Sequence, residues 1–189
     1  MVAGIASECA LLVAAFAIGG LAGIAPLGRF RLEAQAAGYG VLATLPLLAL
    51  LRWCLRTEWR TMRRLVAGVE EHLAPYLAGT SAGGIVLVSL LAGIGEEVLF
   101  RGVLQAGIAE RLPAWLAVGI AALLFGVAHW LMLSYAVFAA IIGAYLGILF
   151  LITGNLLAPA VTHALYDVVA LSILARKKPA APGPTLPPG

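Results

Sequence analysis

Charged residues are scarce in this sequence. Asp, Glu, Lys and Arg make up 11% of its 189 residues, whereas a soluble domain carries about 25%. Hydrophobic residues make up 62%. This balance excludes an ordinary soluble domain and indicates a polytopic membrane protein.

Several other features are missing. The two cysteines, Cys9 and Cys54, have neither metal-ligand spacing nor a disulfide framework, so inert buried thiols are expected. No basic segment opens the chain, which favours a first membrane span over a cleaved signal peptide. No internal repeat of the kind that builds transporters is found. The basic residues cluster at helix ends, which argues against nucleic-acid binding.

Long apolar segments dominate what is present. A helix needs about 20 apolar residues to cross a bilayer. Six segments qualify or nearly do: Val2–Ala25, Ala34–Leu51, Thr80–Leu112, Pro113–Met132, Ser134–Ile152 and Leu156–Ala175. The sequence therefore predicts an all-α membrane bundle of about six transmembrane helices. Residues 1–178 are expected to form a single domain, and the Pro-rich residues 179–189 a disordered tail.

The connection from Arg52 to Gly79 has a different pattern. Its apolar residues recur at helical spacing, and charged residues fill the opposite side, which predicts an amphipathic helix in the membrane interface. Its basic first half suits anionic headgroups. With a cytoplasmic N-terminus, eight basic residues lie inside and three outside. This count predicts an integral protein of a bacterial cytoplasmic membrane with both termini cytoplasmic.

The third segment carries charges within its apolar run. Thr80 to Ile94 has none, and then Glu96, Glu97 and Arg101 follow. A charge in the hydrocarbon costs from about 3 to more than 10 kcal/mol, so the default interpretation is function. Glu97 and Arg101 are four residues apart and share one helix face, where they can form a buried ion pair. Glu96 points about 100° away and has no local partner.

Two further spans each carry a histidine at a helical spacing from a second notable residue. His163 and Asp167 share one face of the last span, and Phe125 and His129 share one face of the fourth. Each pair alone is compatible with ordinary contacts between helices. Two histidines and a free glutamate in one membrane protein instead favour a shared site.

This residue set supports two kinds of chemistry. A carboxylate beside a histidine can take a proton from water, and a histidine can stabilise the resulting oxyanion. Alternatively, Glu96, His129 and His163 could be the three protein ligands of a catalytic zinc. The zincin pattern H-E-x-x-H is absent, and the spacing leaves both alternatives open.

The three motifs together resemble a known family. Glu96-Glu97-x-x-x-Arg101, Phe125-x-x-x-His129 and His163-x-x-x-Asp167 occur in this order on three spans. They resemble the CAAX protease and bacteriocin-processing (CPBP, or Abi) family of intramembrane proteases, related to type II CAAX prenyl endopeptidase. The resemblance covers about Leu87 to Ala170, the motif core.

The resemblance implies a role for each motif residue. Glu96 would activate the attacking water, His129 would orient that water, and His163 with Asp167 would stabilise the oxyanion. Glu97, Arg101 and Phe125 would support the site. The prenyl-protease branch usually has Asn where this chain has Asp167. A carboxylate donates a hydrogen bond only when protonated, so Asp167 is alternatively expected to orient His163 or ligate a metal.

Other functions remain compatible with these residues. One alternative is a non-proteolytic family member, such as an immunity or scaffold factor, and another is a small transporter with a Glu–His relay. The expected partners are the lipid bilayer and a peptide or membrane-protein substrate, while the substrate's identity and the oligomeric state stay open. Glu8 fits no motif and is expected to reach the interface from span one. Six glycines are expected to allow close helix packing: Gly93, Gly95, Gly102, Gly107, Gly143 and Gly147.

Overall fold

The computed structural model describes residues 2–177, with side chains described from residue 4 onward. All regular structure in this range is helical, which confirms the predicted all-α bundle. The helices are α1 (Val2–Ala22), α2 (Ala34–Arg56), α3 (Arg60–Leu77), α4 (Ala82–Glu97), a π-helical segment (Val98–Gln105), α5 (Ala106–Ala109), α6 (Ala114–Ala128), α7 (Leu133–Thr153) and α8 (Leu157–Ala175). The predicted tail, residues 179–189, lies outside the described residues.

Five helical stretches among these residues are long and apolar enough to span a membrane. They are Gly4–Ala22, Ala34–Arg56, Ala82–Ala109, Leu133–Thr153 and Leu157–Ala175. The predicted fourth span is shorter than expected, because α6 has 15 residues and covers only about 22 Å at 1.5 Å per residue. It ends where His129 leaves the helical conformation at φ −96° and ψ 30°. The bundle thus has five long spans and one short apolar helix.

The amphipathic helix α3 starts later than the pattern suggested. The chain continues as α2 up to Arg56 and turns through an extended Thr57 before α3 begins. Leu65 and Ala74 lie buried on the apolar side of α3, which packs against α2, α7 and α8. The amphipathic character is therefore confirmed, while the place of α3 in the membrane interface stays a prediction.

Helix α8 lies against both α2 and α4, and small residues permit these contacts. A Cβ added to Gly93 of α4 would lie 2.8 Å from the Cβ of Ala164, and one added to Gly40 of α2 would lie 2.6 Å from the Ala158 carbonyl oxygen. Real Cβ atoms do not approach so closely, so these positions need glycine. The predicted close packing is confirmed at Gly93, which fixes the motif helix against His163.

A π-helical segment directly follows the Glu-Glu pair. Seven of its eight residues are buried, and two of its side chains bind backbone carbonyls of α7. Arg101 Nη2 donates to the Gly143 oxygen at 2.7 Å, and Gln105 Nε2 donates to the Gly147 oxygen at 2.9 Å. Such segments are rare and occur frequently at functional sites. The helical pattern of the sequence did not predict this one.

The two cysteines differ in exposure. Cys54 is buried, as expected, but Cys9 is exposed on α1. The prediction of a buried thiol is therefore wrong for Cys9, because its side of α1 is not covered by another described helix. Both thiols are free.

Candidate active site

The Glu97–Arg101 pair forms as predicted and is completely buried. Arg101 Nη1 donates to Glu97 Oε1 at 2.8 Å, and the two side chains are 1% and 0% exposed. Arg101 also binds the Gly143 carbonyl of α7. Because an arginine cannot lose its proton, Glu97 supplies the anion that makes this cation tolerable in the membrane interior.

Glu97 also holds His163, a contact that the sequence did not reveal. The His163 Nδ1 atom lies 2.9 Å from Glu97 Oε1. Because the ionised carboxylate of this ion pair only accepts hydrogen bonds, Nδ1 carries a proton and Nε2 faces the site. Asp167 Oδ2 is 3.6 Å from Nε2, within ion-pair distance but beyond an ordinary hydrogen bond, so its role in orienting His163 stays a prediction.

His129 is fixed by the end of α6. Its Nδ1 donates to the Phe125 carbonyl oxygen at 2.9 Å, so in the neutral ring Nε2 is the acceptor. The ring stacks on Phe125, with centroids 4.2 Å apart and an interplanar angle of 23°. Its Nε2 lies 3.4 Å from Glu96 Oε2. The spacing of four thus brings Phe125 and His129 together as predicted.

Glu96 lies between the two histidines. Its Oε2 is 3.4 Å from His129 Nε2 and 3.9 Å from His163 Nε2. The residue is 7% exposed, and Oε2 is buried without a hydrogen-bond partner. A buried carboxylate oxygen with no partner is costly, so we expect a water molecule or a substrate group to donate a hydrogen bond to this atom.

Phe125 packs against Arg101 and both histidines of the site. Its ring meets His163 edge-on at a centroid distance of 6.0 Å, and the Arg101 Cζ atom lies 4.8 Å from its centroid. Phe125 is 3% exposed. The sequence marked this residue as a supporting one, and its contacts agree with that role.

Two small cavities adjoin these residues. The first, of about 130 Å³, is lined by His129, His163 and Asp167 together with apolar residues, and it has room for about four water molecules at roughly 30 Å³ each. The second, of about 140 Å³, is mainly apolar and lies between α2, α3, α7 and α8. Both cavities share the residues Tyr135, Phe138, Tyr166, Asp167 and Leu171.

The sequence did not identify Tyr135 and Tyr166 as site residues. Tyr166 directly precedes Asp167 in the last span, so its place in the sequence could have identified it as a candidate site residue. Tyr135 lies three residues into α7, and only the packing of α7 against α6 brings it to the histidines; its ring centroid is 6.4 Å from that of His129.

Glu8 lies against the motif helix. Its backbone oxygen is 3.2 Å and its Oε2 is 3.8 Å from the place where a Gly95 Cβ would lie. Its Oε2 is buried without a hydrogen-bond partner. The expectation that Glu8 extends to the interface is therefore wrong, because α1 packs on α4 at this level and directs the carboxyl group toward the residue before Glu96.

The zinc alternative concerns three side chains of this site. Glu96, His129 and His163 supply the atom types of a zinc site. Among residues 2–177, however, no three His, Cys, Asp or Glu side chains converge with metal-ligand geometry. The two Nε2 atoms lie 3.4 and 3.9 Å from Glu96 Oε2, and binding of zinc by these three residues stays a prediction.

The comparison with known families agrees with the motifs. Residues 78–169 match the family described as type II CAAX prenyl endopeptidase Rce1-like. This range is a little under half of the chain and holds every motif residue from Glu96 to Asp167. Neither a curated protein nor a solved structure matches the chain. The matched region is similar to this family, and the long apolar helices indicate an integral membrane protein.

Proposed function

We propose that this protein is an intramembrane endopeptidase in which Glu96 activates water without a metal ion. The observation that carries the proposal is the unpartnered Glu96 Oε2 facing the Nε2 atoms of His129 and His163. Each histidine is anchored through Nδ1, so both Nε2 atoms are free for chemistry. The similarity of residues 78–169 to a family of endopeptidases supports peptide-bond hydrolysis over transport.

The first step is attack by water. A water oxygen can lie within about 3 Å of both Glu96 Oε2 and His129 Nε2, since these atoms are only 3.4 Å apart. One O–H donates to His129 Nε2, which orients the water. The other proton passes to Glu96 as the water oxygen forms a bond to the substrate's carbonyl carbon.

The second step is collapse of the tetrahedral intermediate. His163, protonated at Nε2, would donate to the oxyanion. As the C–N bond breaks, the proton held by Glu96 moves to the leaving nitrogen. The products are a carboxylic acid and an amine, and Glu96 returns to its starting state.

The buried ion pair serves as a positioning network in this mechanism. Arg101 holds Glu97, and Glu97 holds His163 Nδ1. This chain of contacts fixes His163 Nε2 toward Glu96. Asp167 faces the same Nε2 from 3.6 Å, and we assign it a second hydrogen bond to the oxyanion when its carboxyl group carries a proton.

The substrate is proposed to be a peptide or a membrane-protein segment with apolar side chains. The apolar cavity reaches the site through Asp167 and the two tyrosines, which favours a hydrophobic residue near the scissile bond. We also propose that both ends of the chain face the cytoplasm. The positive charges of Arg52 to Arg64 lie at the C-terminal end of α2 and just after it, and such charges favour the cytoplasmic side of a membrane.

The test is cleavage of a peptide panel by purified protein in detergent, followed by mass spectrometry. Wild type, Glu96→Gln and Glu71→Gln are compared, because Glu71 is an exposed carboxylate on α3. We expect Glu96→Gln to lose at least about 10²-fold in rate, the lower range for acid–base catalysis, and Glu71→Gln to match wild type. Melting temperatures check that all three proteins are folded.

Two results would contradict the proposal. Full cleavage by Glu96→Gln would remove the glutamate from the mechanism. No cleavage by folded wild type across a broad panel would favour the non-proteolytic family role instead.

A further inference from the structure

Five arginines lie together where α2 ends and α3 begins. They form the arginine patch: Arg52, Arg56, Arg60, Arg63 and Arg64. All five are exposed. Within residues 2–177, none of them has a carboxylate oxygen within 4 Å. Three of them, with Ala67, line an open hollow on α3.

Two exposed tryptophans lie in the same segment as this patch. Trp53 is 46% and Trp59 is 56% exposed, and their ring centroids are 6.3 Å apart. The candidate span of α2 ends at Arg56. Tryptophan is enriched at the level of lipid headgroups, so we expect the arginines to lie at the level of the headgroup phosphates.

Nearby acidic residues do not neutralise the patch. Glu70 is engaged by Lys177 at 2.6 Å, and Glu58 and Glu71 are exposed without an ion pair in the described chain. At the opposite end of the bundle, Arg31 binds Glu33 at 2.6 Å, and Arg29 lies 6.0 Å from the ring of Phe150. Unpaired guanidinium groups are therefore concentrated at one end.

We propose that the arginine patch binds the phosphate headgroups of anionic phospholipids in the leaflet that contacts α3. Guanidinium groups pair with phosphate oxygens in a bidentate geometry. Each basic residue near an anionic membrane surface favours the anionic lipid by about fivefold. The bound lipids hold α3 at the surface, next to the apolar cavity that it helps to line.

Fluorescence quenching by brominated lipids tests this without any assay of cleavage. The full-length chain with Trp115→Phe and Trp130→Phe retains Trp53 and Trp59 as its two tryptophans, and excitation is confined to tryptophan. It is reconstituted in phosphatidylcholine nanodiscs with a minor fraction of either brominated phosphatidylglycerol or brominated phosphatidylcholine. We expect the anionic quencher to be at least about twofold more effective, and high salt to reduce the difference.

Two controls separate lipid binding from general membrane contact. Arg60→Gln, Arg63→Gln and Arg64→Gln together should abolish the preference for the anionic quencher while leaving quenching by phosphatidylcholine intact. A chain retaining only Trp115, beside Arg111 at the other end, should show no preference. Added inorganic phosphate should not remove the preference, because the site is proposed for membrane-bound phosphates.

The proposal is overturned if both quenchers act equally on Trp53 and Trp59. It is also overturned if the preference survives in the triple glutamine variant, or if inorganic phosphate at millimolar concentration abolishes it. The first two results would leave the arginines as determinants of topology only.

Discussion

The substitution Arg101→Met breaks the buried ion pair and should strongly lower the free energy of unfolding. The substitution leaves the Glu97 carboxylate 0% exposed without its cation. Loss of one partner from a buried pair costs about 3–5 kcal/mol. The substitution also removes the hydrogen bond from the π-helical segment to the Gly143 carbonyl of α7. We therefore expect a destabilisation at the upper end of this range.

The double variant Glu97→Gln/Arg101→Met separates charge from packing. It removes both charges, and the glutamine oxygen can still accept a hydrogen bond from His163 Nδ1. Its free energy of unfolding should therefore exceed that of Arg101→Met by about 2 kcal/mol or more, as expected when a buried charge is left unpaired. Cleavage should stay at least about 10²-fold below wild type, because a neutral amide no longer stabilises a protonated His163.

Reversible unfolding in mixed micelles of increasing SDS content measures these stabilities, and peptide cleavage measures the activities. The reasoning is refuted if Arg101→Met costs less than about 1 kcal/mol, the value of an exposed pair. It is also refuted if the double variant is less stable than Arg101→Met, since the two charges would then not be coupled.

Three further predictions concern the site and its surroundings. Asp167→Asn should keep the cleavage rate within about tenfold of wild type, because an amide can donate the proposed hydrogen bond, and Asp167→Ala should lower the rate further. An equal loss of rate in both variants would exclude Asp167 as a donor to the oxyanion. In a Cys9→Ala background, labelling buried Cys54, which lines the apolar cavity, with a bulky maleimide should abolish cleavage. The Cys9→Ala/Cys54→Ala variant should cleave equally well with and without maleimide. Cleavage by fully labelled protein would exclude this cavity as the substrate path. Gly93→Ala should lower stability by about 1–3 kcal/mol in the micelle assay, since its Cβ would lie 2.8 Å from the Ala164 backbone nitrogen; an unchanged stability would mean that α4 and α8 pack less tightly.

Residue spacing within single helices predicted much of this site. The separation of four residues places Glu97 beside Arg101 and Phe125 beside His129, and the structure confirms both contacts. Helical geometry also left Glu96 without a local partner, and its Oε2 indeed has none. These predictions succeeded because they depend only on the turn of an α-helix.

Contacts between helices could not be predicted in the same way. The hydrogen bond at His163 Nδ1 goes to Glu97, which is 66 residues earlier in the chain. Glu8 reaches the motif helix because α1 packs on α4. Both contacts depend on tertiary packing, for which helical periodicity carries no information.

Helix ends and irregular turns were also beyond the sequence pattern. The apolar run continues past Ala128, yet α6 stops there because His129 turns back to the Phe125 carbonyl. The π-helical segment occupies a stretch whose periodicity is that of an ordinary helix. In both places a side chain binds a backbone carbonyl, a contact that the spacing of apolar residues does not reveal.

The central claim is that Glu96 itself activates water, and treatment with a strong metal chelator tests it most directly. Wild type is incubated with chelator, dialysed into metal-free buffer and assayed on the best peptide of the panel, beside Glu96→Gln. We expect an unchanged rate for treated wild type and a rate at least about 10²-fold lower for the folded variant. Loss of wild-type cleavage on chelation, with recovery on adding zinc, would contradict it and turn the same three side chains into metal ligands.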